Sequence, residues 1–136
     1  MSIVNGLNPS LMALTLECQS VKPDAVSGAR ATILPGVRSV TVEAVTNDAN
    51  DWIVLPSLAS VPLGHQISIL ASAGGNFELR TPASSNEKIN DIDSDGTQEY
   101  LCTDTDTILI TKRTSTGWVA QSITKLGAVR TAVIPD

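Results

Sequence analysis

Histidine occurs once in this chain, cysteine twice, and the aromatic residues come to 3% of its 136 positions. Each scarcity removes a class of function. A closed zinc site wants four ligands, mostly Cys and His, and His65, Cys18 and Cys102 supply too few. Two distant thiols lack the density of a disulfide scaffold; they are expected as free, partly buried residues, although sequence alone does not forbid their pairing. Phe77, Tyr100, Trp52 and Trp118 complete the aromatic set, too few for a base-stacking platform and thin for a sugar-binding groove. Lys/Arg runs are missing and the formal net charge is -5, which argues against nucleic acid or an anionic membrane as partner. Long apolar runs are missing too. The longest, near Trp52 to Gly64, is broken by Pro56 and Pro62, short of the roughly 20 residues a membrane helix needs. The opening M-S-I-V-N-G-L-N-P-S has no basic region before an apolar one, so no Sec signal is expected.

What is present reads as β-structure. Hydrophobic residues make up 42% and charged residues 17%, the balance of one globular domain. Residues 1–10 look like an arm rich in turn formers (Asn5, Gly6, Asn8, Pro9), and 11–136 like a single domain. Strands are expected at Leu11–Cys18, Ala31–Leu34, Arg38–Val45, Trp52–Leu55, Gln66–Ala71 and Phe77–Arg80. Four more are expected at Glu99–Thr103, Thr107–Lys112, Gly117–Gln121 and Val129–Ile134. Alternation supports them: Val40, Val42 and Ala44 share one face, Ile67 and Ile69 another, Ile108 and Ile110 a third. Pro35-Gly36, Gly74-Gly75, Asp95-Gly96 and Thr116-Gly117 punctuate the pattern. No stretch of ten residues carries helical periodicity. The expected fold is all-β: an antiparallel β-sandwich or small β-barrel with an extended N-terminal arm.

One stretch invites a chemical reading. N-D-I-D-S-D-G-T-Q-E-Y-L-C (90–102) places Asp91, Asp93 and Asp95 at alternate positions ahead of Gly96, as a calcium loop begins. The twelfth position is Cys102, which cannot replace the bidentate Glu such a loop requires, and E-Y-L-C-T reads as a strand and not a helix. Glu99 could complete a different four-carboxylate site. The plainer reading is a hairpin connection closing on Asp-Gly, with no metal. Asp104 and Asp106, among threonines, read as solvated turn residues and not as a general-acid pair. His65, in P-L-G-H-Q, reads as an ordinary polar residue where a strand starts, since no G-x-S-x-G elbow surrounds any serine. The glycines form no phosphate cradle. No cofactor is expected, and a binding or structural role is favoured over an enzyme.

Residues 47–136 carry a resemblance. N-D-A-N-D-W-I-V-L-P (47–56), N-F-E-L-R-T-P-A-S-S-N-E-K-I-N (76–90), S-D-G-T-Q-E-Y-L (94–101), G-W-V-A-Q-S (117–122) and L-G-A-V-R-T-A-V-I-P-D (126–136) resemble a small β module of tailed-bacteriophage virion proteins. In size and layout the chain is most similar to capsid decoration, or cement, proteins. That resemblance implies a β-tulip-like, homotrimeric domain on the outside of the head, assembled in the host cytoplasm, whose partner is the major capsid protein. Ser2, Ile3, Val4, Asn5, Leu7 and Asn8 are then the candidate capsid contacts, by strand addition to the lattice. A receptor-binding or fibre module of the virion is the alternative, which an exposed Trp52 or Trp118 would favour.

Overall fold

A computed structural model describes residues 17–23, 32–43, 51–71, 75–83, 85–90, 99–103 and 105–131. Its strands are β1 (Cys18–Val21), β2 (Ser39–Val42), β3 (Trp52–Val54), β4 (Gln66–Ala71), β5 (Phe77–Arg80), β6 (Lys88–Ile89), β7 (Glu99–Cys102), β8 (Thr107–Lys112), β9 (Gly117–Ile123) and β10 (Val129–Arg130). They form two sheets. The larger has seven strands in the order β1-β2-β4-β8-β9-β10, with β6 also on β9, and the smaller has three, β3-β5-β7. The fold is an all-β sandwich, as the alternation implies. The barrel alternative does not hold, because the larger sheet runs from β1 to β10 without closing.

The sheets are mixed, where antiparallel ones were expected. β1–β2, β2–β4, β3–β5 and β6–β9 pair parallel; β4–β8, β5–β7, β8–β9 and β9–β10 pair antiparallel. The cause lies in the path of the chain. From β2 to β7, successive strands fall alternately in the larger and the smaller sheet. A chain that reverses and changes sheet at each step returns with the same direction, so β2 and β4 become parallel neighbours, as do β3 and β5; between β5 and β7 one of the two steps keeps its direction, and those strands pair antiparallel. Parallel pairing needs such a crossover, and no tight hairpin can supply it.

Inward-facing residues of both sheets share one core. Val40, Val42, Ile67, Ile69, Ile108, Ile110 and Trp118 come from the larger sheet, and Ile53, Phe77, Leu79, Tyr100 and Cys102 from the smaller. Each large apolar side chain buried this way contributes on the order of 1.5–3 kcal/mol. The segment around Ala31–Leu34 is not a full strand: Thr32 makes one parallel bridge to Val54, and Ile33 N–H donates to the Val54 carbonyl at 2.9 Å. Pro35 follows and removes a donor. β1 begins where the expected strand Leu11–Cys18 ends, because Cys18–Val21 is the segment in register with Ser39–Val42; positions 11–16 lie outside the described residues. β10 covers Val129–Arg130, and 132–134 also lie outside.

Candidate functional site

The arm residues Ser2, Ile3, Val4, Asn5, Leu7 and Asn8 lie outside the described residues, as do Asp91, Asp93, Asp95 and Asp104. Glu99 is placed through its backbone, at the first position of β7. The strands that flank the acidic stretch correct one expectation. β6 pairs with β9 in the larger sheet and β7 with β5 in the smaller, so the described strands on either side of 91–98 are not hairpin partners of each other, and 91–98 itself lies outside the described residues. The connection starts at Asn90, in the left-handed region with φ 61°, a conformation Asn tolerates better than most residues. Its Oδ1 accepts a hydrogen bond from Ala120 N–H at 2.8 Å, and its own N–H donates to the Trp118 carbonyl at 2.8 Å. Asn90 therefore pins the start of the connection to β9. Among the described residues, no group of three or more His, Cys, Asp or Glu side chains converges as metal ligands.

Asp106 corrects a second expectation. It is buried, not solvated, and Arg130 of β10 binds both its oxygens, Nε to Oδ2 at 2.6 Å and Nη2 to Oδ1 at 3.0 Å. A sequence signal for this existed. Asp106 stands two and four positions before Ile108 and Ile110, hence on the inward face of β8 continued backward.

His65, Cys102, Tyr100 and Glu78 are likewise turned inward. His65 is buried just before β4, with Nε2 at 3.1 Å from the Val37 carbonyl. Since a carbonyl only accepts, Nε2 carries the hydrogen. Burial, offset in part by that bond, holds the imidazole below its ordinary value, and the nearby Arg38 acts in the same direction. Both cysteines are free, Cys18 exposed and Cys102 buried. Burial pushes the Cys102 thiol well above its ordinary value, with a contribution from the Asp106 charge, so it is not a nucleophile. Tyr100 of the smaller sheet and Ser122 of the larger meet hydroxyl to hydroxyl at 2.8 Å. Arg80 binds buried Glu78 at 2.6 and 2.8 Å and lies 4.4 Å from the ring centroid of Trp52. Sequence reading passed over these last two braces because neither falls in a recognisable motif.

A third brace holds the 3-10 turn Leu58–Ser60. Glu87 Oε1 accepts from Leu58 N–H at 2.8 Å, while Lys112 Nζ donates to the carbonyls of Leu58 at 2.6 Å and Val61 at 2.8 Å. A shallow groove of about 500 Å³ lies beside the β8–β9 turn, lined by Asn90, Arg113, Thr114, Thr116, Trp118 and Val119 among others. It brings no acid–base pair together. Trp118 is itself buried, so it offers no stacking surface to a sugar, and the described contact of Trp52 is with Arg80.

No family model matches the chain, and no curated protein or solved structure matches it either. The described residues thus present internal braces and a sandwich surface, with Glu78, Asp106, Lys112 and Arg130 used to hold strands and turns together.

Proposed function

We propose that the chain is a structural protein of a tailed-phage virion, a decoration protein that binds the outside of the head as a homotrimer and stabilises the capsid lattice. The observation that carries the reading is where the five resembling stretches fall. Separated in sequence, they contain all of β3 and β5 and all of β7 but Cys102, the three strands of the smaller sheet, together with β6, most of β9, and β10. β6 and β10 both pair with β9. The likeness therefore covers one connected part of the sandwich and not scattered strands.

The use of the polar groups supports the same reading. Among the described residues, Glu78, Asp106, Lys112 and Arg130 are turned to bracing, which supports a role carried by surface. Lattice binding needs many modest contacts repeated at many sites, which the surface of a sandwich present in many copies would supply. Of the two tryptophans whose exposure would favour the fibre or receptor-binding alternative, Trp118 is buried and Trp52 half-buried.

Two measurements test the reading. Quantitative mass spectrometry of the purified virion should find the chain in a stoichiometry that scales with the capsid lattice; a stoichiometry fixed to the single tail would overturn the head assignment. Deleting residues 1–9 should leave a folded multimer that no longer decorates empty heads. Undiminished decoration removes the arm from the account.

A further inference from the structure

The inward face of the larger sheet packs on the core, and its outward face has an unusual composition. Pairing register aligns Thr41, Leu70, Thr107, Ile123 and Val129 in one row across five strands. The adjacent row holds Ser39, Ser68, Leu109 and Gln121. Across β2, β4, β8 and β9, no outward position is charged. Leu70 and Val129 are 50% and 64% exposed, and Leu126, in the turn joining β9 to β10, is 89% exposed. Described charges stand beyond the strand ends: Glu17 and Lys22 on either side of β1, Arg38 and Glu43 on either side of β2, Arg113 beyond β8, and Lys125 in the β9–β10 turn. Solvated sheet faces ordinarily carry Lys and Glu, which keep them from pairing with other molecules.

We propose that this outward face is the surface on which a second copy of the chain packs. Charge decides the occupant. The chain carries fourteen acidic residues against nine basic ones, so two copies repel wherever both present carboxylates. A face without charge is where that repulsion is least. The same neutrality gives a foreign partner no charge pattern to recognise, and such patterns are what select heterologous partners. Threonine, serine and glutamine can donate and accept, so identical copies can satisfy one another across the contact. With strands ~4.8 Å apart and ~3.3 Å per residue, the face is about 20 Å on a side, or ~400 Å² in projection. That is the size at which a neutral patch on a monomer becomes notable and roughly half of each partner's share in a standard interface. Leu126 and Val129, along one margin, extend it.

The inference rests on the self-association in the proposed function, not on the head location. The experiment is light scattering on three forms of the full chain. Wild type should have a mass that is a multiple of 14.2 kDa. L70E/Q121E, which adds like charges to two exposed positions of the face, should fall to the monomer mass with an unchanged far-UV circular dichroism spectrum. A59E/S115E, with equal charge added at exposed positions elsewhere, should keep the wild-type mass. A monomeric wild type, a double variant that still assembles, or a control that dissociates equally would each overturn the proposal. Should L70E/Q121E fail to fold, Q121E alone is expected to weaken association about tenfold, and an unchanged affinity would overturn it. A wild-type multimer that dissociates as expected but does not bind heads leaves this face standing and removes the decoration role.

Discussion

Arg130, on the edge strand β10, holds both carboxylate oxygens of buried Asp106, at 2.6 and 3.0 Å. The pair ties the last described strand of the larger sheet to the residue that leads into β8. A planar guanidinium suits this two-point grip, which a lysine could not reproduce. Removing the cation leaves a carboxylate out of water without a partner, the more damaging half of any such break. R130A should therefore lower the thermal midpoint more than R113A, whose side chain is exposed. The double variant D106N/R130A should recover part of that loss. Equal melting of R130A and R113A would show that the pair contributes nothing to the fold.

The reading of Asp106 shows where sequence reasoning stopped short. For β4, β5 and β8, the strands run over the expected residues, because apolar alternation marks β4 and β8, and Gly or Pro flanks both ends of β4 and β5. The same alternation, continued two residues before Ile108, places Asp106 inside, but a T-D-T-D-T context suggests a solvated turn. β6 was not legible at all. Two residues, Lys88 and Ile89, carry no period, and they become a strand by pairing with the start of β9. Parallel pairing was equally hidden, since it follows from which sheet each strand joins and leaves no mark on local composition. Of the candidate site residues, Glu99 falls on a strand as expected, while the acidic run before it lies outside the described residues.

Tyr100 and Ser122 join the sheets through one buried hydrogen bond. Y100F strands the serine hydroxyl and should cost about 1–2 kcal/mol in denaturant unfolding. S122A should cost a similar amount, and Y100F/S122A less than their sum, because residues in direct contact are not additive. Additive losses would mean that the two hydroxyls are not coupled.

Tyr100 is the single tyrosine in the chain, so its absorbance titration is unambiguous. Burial outweighs the Ser122 bond and raises its phenol above the ordinary value of 10.0. The neutral form is then the one the fold favours. Its stability contribution is complete below the unfolded-state value near pH 10 and is lost as pH rises through the folded-state value. Ionisation of the native protein at or below pH 10 would contradict the buried placement.

His65 gives the opposite dependence. Its folded-state value is depressed by burial, so its contribution is complete above the unfolded-state value near 6.5 and is lost as pH falls through the folded-state value. An NMR titration of the one imidazole should show a midpoint below 6.5. H65Q should flatten the acid limb of the stability profile, and an unaltered limb would place its origin elsewhere.

Thiol labelling separates the two cysteines. In the native protein, one equivalent of an aromatic disulfide reagent should react promptly at Cys18, and the second should react after denaturation, when Cys102 leaves the core. C18S should abolish the fast phase. Two fast equivalents in the native protein would contradict the placement of β7.

The decoration role itself is tested most directly by electron cryomicroscopy of heads assembled from the virion's major capsid protein, with and without the purified chain. The account predicts added density on the outer surface at regular lattice positions, into which the two-sheet domain fits as symmetric copies. Heads that remain bare at saturating concentration, or density confined to the tail, would contradict it.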